Sequence, residues 1–165
     1  MKKIYKLLLL FFLLGCGLNS YAQEIEEEDY TPDLEIFPEV SRAAVAKQWK
    51  INVDMVFPNA EAGGHLVVDT PYYLSLDKDQ LSMYLPYLTS TEVPESEWKI
   101  FKFTTKLTGY SHERRKERYT INFMANGKGE SFWFTVHMFK DKNCTILMRL
   151  SNGKTSSFCG TFAEK

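Results

Sequence analysis

From Trp49 onward, apolar side chains recur at every second position in short runs, and this alternation constrains the fold more than any other feature. The clearest run extends from Trp49 to Phe57, where the intervening positions are mostly polar or charged. Successive side chains of a β-strand point to opposite faces, so a period of two indicates a strand with one buried face. A helical pattern is confined to Glu39 to Gln48. The sequence therefore predicts a mainly β protein with one short N-terminal helix, which we expect to pack across one end of the sheet.

Turn sequences of only a few residues separate most of the predicted strands. After the first strand, period-two runs occupy residues 66–68, 72–76, 80–88, 99–105, 119–125, 131–139, 144–150 and 155–162, and residues 106–111 are an additional short candidate. Short hairpin loops join antiparallel neighbours, so these eight or nine strands form a meander. A meander of this length removes its exposed edges by closing into a barrel or folding into a sandwich. Because long crossover connections are missing, we predict an antiparallel up-and-down barrel in a single domain.

In the run Gln80 to Leu88, nearly every second residue is apolar, and the run contains a proline. Proline cannot donate a backbone hydrogen bond, so the strand should end, bulge or lie at an edge at Pro86. Tyr73, Tyr84 and Tyr87 lie on or beside this strand and are the candidate ligand-binding residues. Aromatic residues make up 15% of the chain, enough to line a ligand cavity or to fill the barrel with core. Both interpretations stay open at this point.

The first 22 residues have the three parts of a secretion signal. Three lysines among the first six residues form the positive region, and residues 7–14 form the apolar region. Ser20-Tyr21-Ala22 then provides small residues before a cleavage site at Gln23. An apolar region this short cannot span a bilayer, which takes about 20 residues. We therefore expect export to the periplasm or the exterior, without a transmembrane span.

A second processing route stays open, because Leu13-Leu14-Gly15-Cys16 resembles a bacterial lipobox. In that route Cys16 is lipidated, becomes the first residue of the mature chain and anchors it to the outer membrane. Residues 23–38 are rich in Glu and Asp with scattered apolar residues, a composition typical of a flexible acidic leader. Residues 39–165 then form the β domain.

Two further cysteines, Cys144 and Cys159, flank the turn sequence Ser151 to Lys154. An oxidising compartment permits a disulfide between them. With a two-residue turn at Asn152-Gly153 they share one face as diagonal neighbours, about 7–8 Å apart. A disulfide needs closer Cα atoms, which a slipped turn or a bulge would supply. A bridge and a pair of buried or half-buried thiols are both compatible with the sequence.

Several segments together resemble an uncharacterised family, domain of unknown function 4251, whose members are small exported or lipid-anchored proteins of Gram-negative bacteria. The segments that carry the resemblance are Gly63-Gly64, Tyr72-Tyr73-Leu74, the run from Asp79 to Tyr87, Tyr119 to Phe123 and Phe158-Cys159-Gly160. They cover roughly Trp49 to Phe162. The resemblance implies export and a small antiparallel β fold similar to lipocalin-like barrels, and it implies no activity.

The chain departs from the family pattern at two places in these segments. His65 follows the glycine pair where the family tends to have Arg, and Leu88-Thr89 follows the LPY sequence where the family tends to have Phe-Gly. A site built from those positions would be altered in this chain.

Enzyme chemistry finds little support in the sequence. No Gly-x-Ser-x-Gly elbow or phosphate loop occurs, and the three histidines, His65, His112 and His137, share no metal-ligand spacing. We therefore predict no catalytic residues, no metal and no cofactor. The net charge of −1 also argues against a nucleic-acid partner, which calls for a strongly basic face.

The one concentrated charge feature is a basic cluster in the predicted hairpin tip from Glu113 to Glu117 and the strand after it. Its members are Arg114, Arg115, Lys116 and Arg118. A solvated turn explains such a cluster, and a patch for anionic glycans or lipid headgroups is the functional alternative. For the whole protein, the leading hypothesis is a non-enzymatic barrel that binds a small apolar molecule or a partner protein. The alternative is a structural or interaction module of the cell envelope without a ligand, and a hydrolase is disfavoured.

Overall fold

The structure, a computed structural model, describes residues 38–58, 66–88 and 94–163. The predicted signal peptide at 1–22, Cys16 and nearly all of the acidic leader at 23–38 lie outside the described residues, as do Gly63, Gly64 and His65. Within the described ranges, no helix is both long enough and apolar enough to cross a membrane.

In the part of the chain that the structure describes, one helix precedes nine strands, as the alternation predicts. The helix α1 comprises Pro38–Ala46, and a single 3-10 turn comprises Glu95–Glu97. The strands are β1 Gln48–Phe57, β2 Leu66–Val67, β3 Tyr73–Asp77, β4 Gln80–Tyr87, β5 Lys99–Arg115, β6 Arg118–Gly127, β7 Glu130–Phe139, β8 Asn143–Leu150 and β9 Thr155–Ala163.

Eight of the strands form a closed antiparallel barrel. From β3 to β9 each strand pairs with the next one in the chain, and β1 closes the barrel by pairing with both β3 and β9. The short strand β2 is an extra strand that pairs with the last part of β1. The predicted up-and-down barrel with one short helix is therefore confirmed.

The inward-facing side chains fill the barrel with apolar core. On β7, every second side chain points inward and is almost fully buried: Phe132, Phe134, Val136 and Met138. Phe134 stacks on Phe123 of β6 with ring centroids 4.9 Å apart. Bulky residues at alternating positions pack at the density of an interior, which stabilises the closed sheet.

The helix packs across one end of the barrel, as predicted. Val40, Ala43 and Ala44 are its buried residues. Tyr110 of β5 donates a hydrogen bond of 2.7 Å from its hydroxyl to the Ala44 carbonyl. A bulge at Gly109 and Tyr110 aims this side chain, because Gly109 adopts the left-handed φ of 63° that a side chain would disfavour.

The predicted end of strand β4 at its proline is close to the observed one. β4 stops pairing with β3 at Tyr84 and continues with β5 through Pro86 to Tyr87. Pro86 thus lies beyond the last residue of β4 that pairs with β3. Among the described strands this part of β4 pairs on one side only, where a proline is tolerated.

The predicted hairpin between the last two strands is wrong by one residue. Ser151 to Gly153 form a three-residue loop in which Gly153 has a φ of 80°, and Leu150 accepts from the Gly153 N–H. A shift of one residue moves a side chain to the other face of the sheet. Cys144 therefore faces the core opposite Gly160, while Cys159 faces outward opposite Thr145. Both cysteines are free thiols, so the disulfide alternative is not supported.

The segment that was expected to contain two short strands and a long hairpin tip is one continuous strand. β5 runs from Lys99 to Arg115 and the hairpin turn is only Lys116 and Glu117. Because Arg115 pairs with Arg118 across this turn, three of the four clustered basic residues lie on strands instead of in a loop.

Candidate functional site

Two of the three candidate tyrosines lie side by side on the outer wall of the barrel. Tyr73 of β3 is directly opposite Tyr84 of β4, and their rings approach edge to face with centroids 6.3 Å apart. Their sequence neighbours Leu74 and Met83 are buried, so the tyrosine side chains point away from the core. Edge-to-face pairs are a favoured aromatic geometry, which orients both rings.

A lysine accompanies each of these two rings. The Lys50 Nζ lies 5.2 Å from the centroid of Tyr73, and the Lys102 Nζ lies 4.7 Å from the centroid of Tyr84. Cations within about 6 Å of a ring face are attracted by its negative charge distribution. The lysines come from β1 and β5, so four different strands contribute to this arrangement.

The strand register places these side chains in two adjacent rows across four strands. We call this surface the tyrosine–lysine face; its rows are Asn52, Tyr73, Tyr84 and Lys102, then Lys50, Ser75, Ser82 and Thr104. The hydroxyls of Ser82 and Thr104 are 3.0 Å apart and hydrogen bonded. The face therefore combines two aromatic rings, two ammonium groups and several hydroxyl and amide groups on a rigid sheet.

A buried tyrosine, Tyr72, packs against Tyr84 of the tyrosine–lysine face. Tyr72 is almost fully buried, and its ring meets that of Tyr84 at a centroid distance of 4.9 Å. Trp98, which follows the 3-10 turn, also approaches Tyr72, with ring centroids 6.4 Å apart. The contact with Tyr72 restricts the Tyr84 ring, so the ring loses less conformational entropy when a partner binds.

The third candidate tyrosine is not part of this face. Tyr87 lies on the parity of Leu81 and Met83, and its ring is 6.3 Å from that of Phe101. Burial raises the pKa of Tyr87. Phe101 in turn contacts Phe132 edge to face at 4.8 Å, inside the barrel. The predicted trio therefore divides into an outer pair and one residue that packs on the core.

The basic cluster occupies the end of the β5–β6 hairpin. Arg115 and Arg118 are directly opposite on the outer face, Arg114 has the opposite parity, and Lys116 is in the turn. The Nε and Nη2 atoms of Arg115 donate to the two carboxylate oxygens of Glu113 at 3.2 and 3.3 Å. The Glu113 carboxylate thus neutralises the charge of Arg115. It does not neutralise the charge of Arg118, the other guanidinium on this face.

His137 adjoins that hairpin on the outer face of β7. It lies opposite Thr120, and its Nδ1 is 3.1 Å from the Thr120 hydroxyl. Burial, followed by the positive charges of Arg118 and Arg115, lowers the pKa of His137. We did not anticipate this neighbourhood from the sequence, because His137 is 19 residues from Arg118 and meets it only through the β6–β7 pairing.

The remaining cysteine, histidine and acidic side chains of the described residues do not form a metal site. No group of three or more His, Cys, Asp and Glu side chains in these ranges could hold a metal ion. Burial raises the pKa of Cys144 to about 12 and, together with Asp54, also raises the pKa of Cys159, so neither thiol is activated. The imidazole that contacts Thr120 has arginines beside it instead of an orienting carboxylate, unlike the base of a nucleophilic triad.

The fold and these surfaces define a small closed antiparallel β-barrel domain with one helix across its end. A family model described as domain of unknown function (DUF4251) matches residues 33–162, and the chain belongs to this family. A crystal structure of a DUF4251 family protein from Bacteroides eggerthii is similar, with a TM-score of 0.65 and 14% sequence identity. The match covers 78% of this chain and 87% of that chain, and at this identity it shows the fold alone. No curated protein matches the chain.

Proposed function

We propose that this protein is an exported, non-enzymatic binding module whose tyrosine–lysine face binds an acidic partner protein. The observation that carries the proposal is the outward pair of Tyr73 and Tyr84 with a lysine beside each ring. Export is supported by the signal-like pattern of the first 22 residues. A lipid anchor at Cys16 would place the same module at the outer membrane.

Tyrosines suit protein recognition because they offer a large, rigid, amphipathic contact area. Aromatic residues are enriched at protein–protein interfaces, and tyrosine is frequent among the residues that dominate binding energy. In this barrel the two rings lie on a continuous sheet and are held by neighbouring side chains, notably Tyr72 beneath Tyr84. The contact surface is therefore largely formed before a partner arrives.

The charge of the face indicates the chemistry of the partner. Lys50 and Lys102 contribute two positive charges, and the other outward residues of the two rows are tyrosine, asparagine, serine and threonine, so none is acidic. Complementary charge increases the association rate and selects against partners of the same sign. An acidic partner therefore fits this surface better than a basic one.

The barrel interior favours an outer site over an internal one. The inward positions of the described strands hold bulky apolar residues that are almost fully buried, including Trp49, Phe132 and Phe158. A small apolar ligand would compete with these side chains for the same space. For this reason the outer face is the better candidate, and a ligand inside the barrel becomes an outcome that the experiment can detect.

The experiment places a photo-crosslinking amino acid on the barrel wall of the full chain in its source bacterium. At Asn52 it lies in the tyrosine–lysine face, and at Leu147 it lies on an exposed part of β8 as the control. We expect a discrete protein adduct from the Asn52 position only. The adduct should disappear with Tyr73→Ser and Tyr84→Ser together, and should weaken with Lys50→Glu.

Two results would contradict the proposal. Adducts that are the same from both positions, or that persist without the tyrosines, would show that the face has no specific partner. A lipid or other small apolar molecule that copurifies with the barrel in native mass spectrometry, without any adduct at Asn52, would favour an internal ligand instead.

A further inference from the structure

A second surface, around the β5–β6 hairpin, carries more basic than acidic side chains: Arg114, Arg115, Lys116 and Arg118 against Glu113 and Glu117. On the outer face of the β5–β6 hairpin, Arg115 and Arg118 are directly opposite each other. Like charges at directly opposite positions destabilise a sheet, so a pair of this kind calls for a compensating group. Glu113 compensates Arg115 through two hydrogen bonds, and it precedes Arg115 by two residues on the same face.

His137 completes the cluster from the neighbouring strand. Arg118 pairs with Phe139 and Thr120 pairs with His137, so Arg118 and His137 are diagonal neighbours on the outer wall. Diagonal neighbours have Cα atoms about 7–8 Å apart, within reach of a long side chain. Thr120 is nearly buried and bonds to the Nδ1 of His137, which fixes the ring and leaves Nε2 for another partner.

The residues directly opposite His137 carry no negative charge, and the other acids at this end of the barrel, Glu117 and Asp141, lie in the turns near Phe139. On β8 the residue opposite His137 is Thr145, and on β6 it is Thr120; both are uncharged. The carboxylate of Glu113, one strand further along the same row, is already bound by Arg115. A guanidinium and an imidazole therefore flank a half-buried position that attracts an anion.

We propose that Arg118 and His137 form a binding site for a tetrahedral oxyanion group, a phosphate or sulfate monoester. Arginine presents a planar set of donors that matches the oxygens of such a group. A protonated imidazole adds a second charged donor from Nε2, while Thr120 accepts from Nδ1. The group can belong to a soluble ligand or to a lipid headgroup, since the two share this chemistry.

The first test follows the His137 imidazole by NMR as sulfate is added to the full-length mature protein. Sulfate keeps its charge across the pH range, so only the protein titrates. We expect bound sulfate to raise the pKa of His137 by about one pH unit, because a nearby opposite charge favours the charged form. The ring of His112, on the opposite parity of β5, serves as the internal reference.

Matched variants separate this site from general charge attraction. Arg118→Gln should weaken sulfate and inorganic phosphate binding roughly tenfold or more, the loss expected for a charged hydrogen bond. Lys154→Gln removes the same charge from the exposed β8–β9 turn at the other end of the barrel and should leave binding within about twofold. His137→Gln should keep the fold and abolish the pH dependence of binding.

Vesicle binding distinguishes the two sources of the anionic group. Cosedimentation with phosphatidic acid vesicles, but not phosphatidylcholine vesicles, that Arg118→Gln removes would assign a lipid headgroup. Binding of the free anions without vesicle binding would assign a soluble phosphate or sulfate ester. An unchanged His137 pKa in sulfate, or equal anion affinity of the Arg118 and Lys154 variants, would overturn the site.

Discussion

Gly160 is the position where a single methyl group should do the most damage to this barrel. It lies on β9 between Val53 of β1 and Cys144 of β8, so both neighbouring strands surround it. A Cβ at this position would be 2.0 Å from the backbone oxygen of Asn52. Ordinary contact begins at about 3.4 Å, so β1 and β9 would have to separate by about 1.4 Å.

The cost of Gly160→Ala follows from this separation. Forcing extra volume into a packed site costs about 1–3 kcal/mol, and here the obstructing atom is backbone and cannot rotate away. A shift of this size also breaks the nearby ladder hydrogen bonds, each with a net contribution of about 1 kcal/mol. We therefore expect Gly160→Ala to lower the free energy of unfolding by about 3–5 kcal/mol, a large part of the 5–15 kcal/mol typical of a domain.

Gly127→Ala is the matched control, because it adds the same methyl group to another strand. A Cβ at Gly127 would be 2.3 Å from a ring carbon of Phe103. That ring is half-buried and can move, so we expect a loss of about 1 kcal/mol. Urea unfolding followed by circular dichroism measures both variants. If Gly160→Ala costs no more than Gly127→Ala, the close approach of β1 and β9 does not limit the barrel.

Three further predictions concern the helix, the thiols and the acid response. Tyr110→Phe removes the hydrogen bond to Ala44 and should lower the free energy of unfolding by about 1–2 kcal/mol, as measured by thermal unfolding. An unchanged melting temperature would disprove that this bond stabilises the helix on the barrel. With a pKa of about 12, only about one Cys144 in ten thousand is thiolate at pH 8, so iodoacetamide should label it in urea but not in the folded protein. Equal labelling of Cys144 in both states would contradict its burial. Because the pKa of His137 is lower in the folded chain than its ordinary 6.5, the unfolded chain binds the proton first as pH falls below 6.5, and stability is lost there. His137→Gln should reduce the loss between pH 7 and pH 5, and an identical pH profile would show that another group causes it.

The parity of each strand could be predicted from the sequence because burial imposes a period of two. Leu81 and Met83 face inward and Ser82 faces outward, as the alternation indicates. The barrel could be predicted too, because short connections leave few topologies for so many strands. The turn after β8 could not, because Ser-Asn-Gly-Lys is compatible with both a two-residue and a three-residue loop. Only the position of the left-handed Gly153 distinguishes them.

The candidate surfaces depend on contacts between strands that are distant in sequence. The pairing of Tyr73 with Tyr84 follows from the tight turn between β3 and β4, and that turn is visible in the sequence. Lys50 contacts Tyr73 only because β1 pairs with β3. The strand that follows β1 in the sequence is β2, so the order of the strands alone does not predict this pairing. The neighbourhood of His137 was missed for a related reason, since a side chain's charged neighbours depend on register and not on local pattern.

The pairing of the first barrel strand with the last has a consequence for how the chain folds. β1 begins at Gln48 and β9 ends at Ala163, so the barrel remains an open sheet with two exposed edges until β9 has been synthesised. Open edges recruit other strands, and contacts between distant segments form slowly. A truncation of only the last strand would therefore leave an aggregation-prone sheet instead of a smaller barrel.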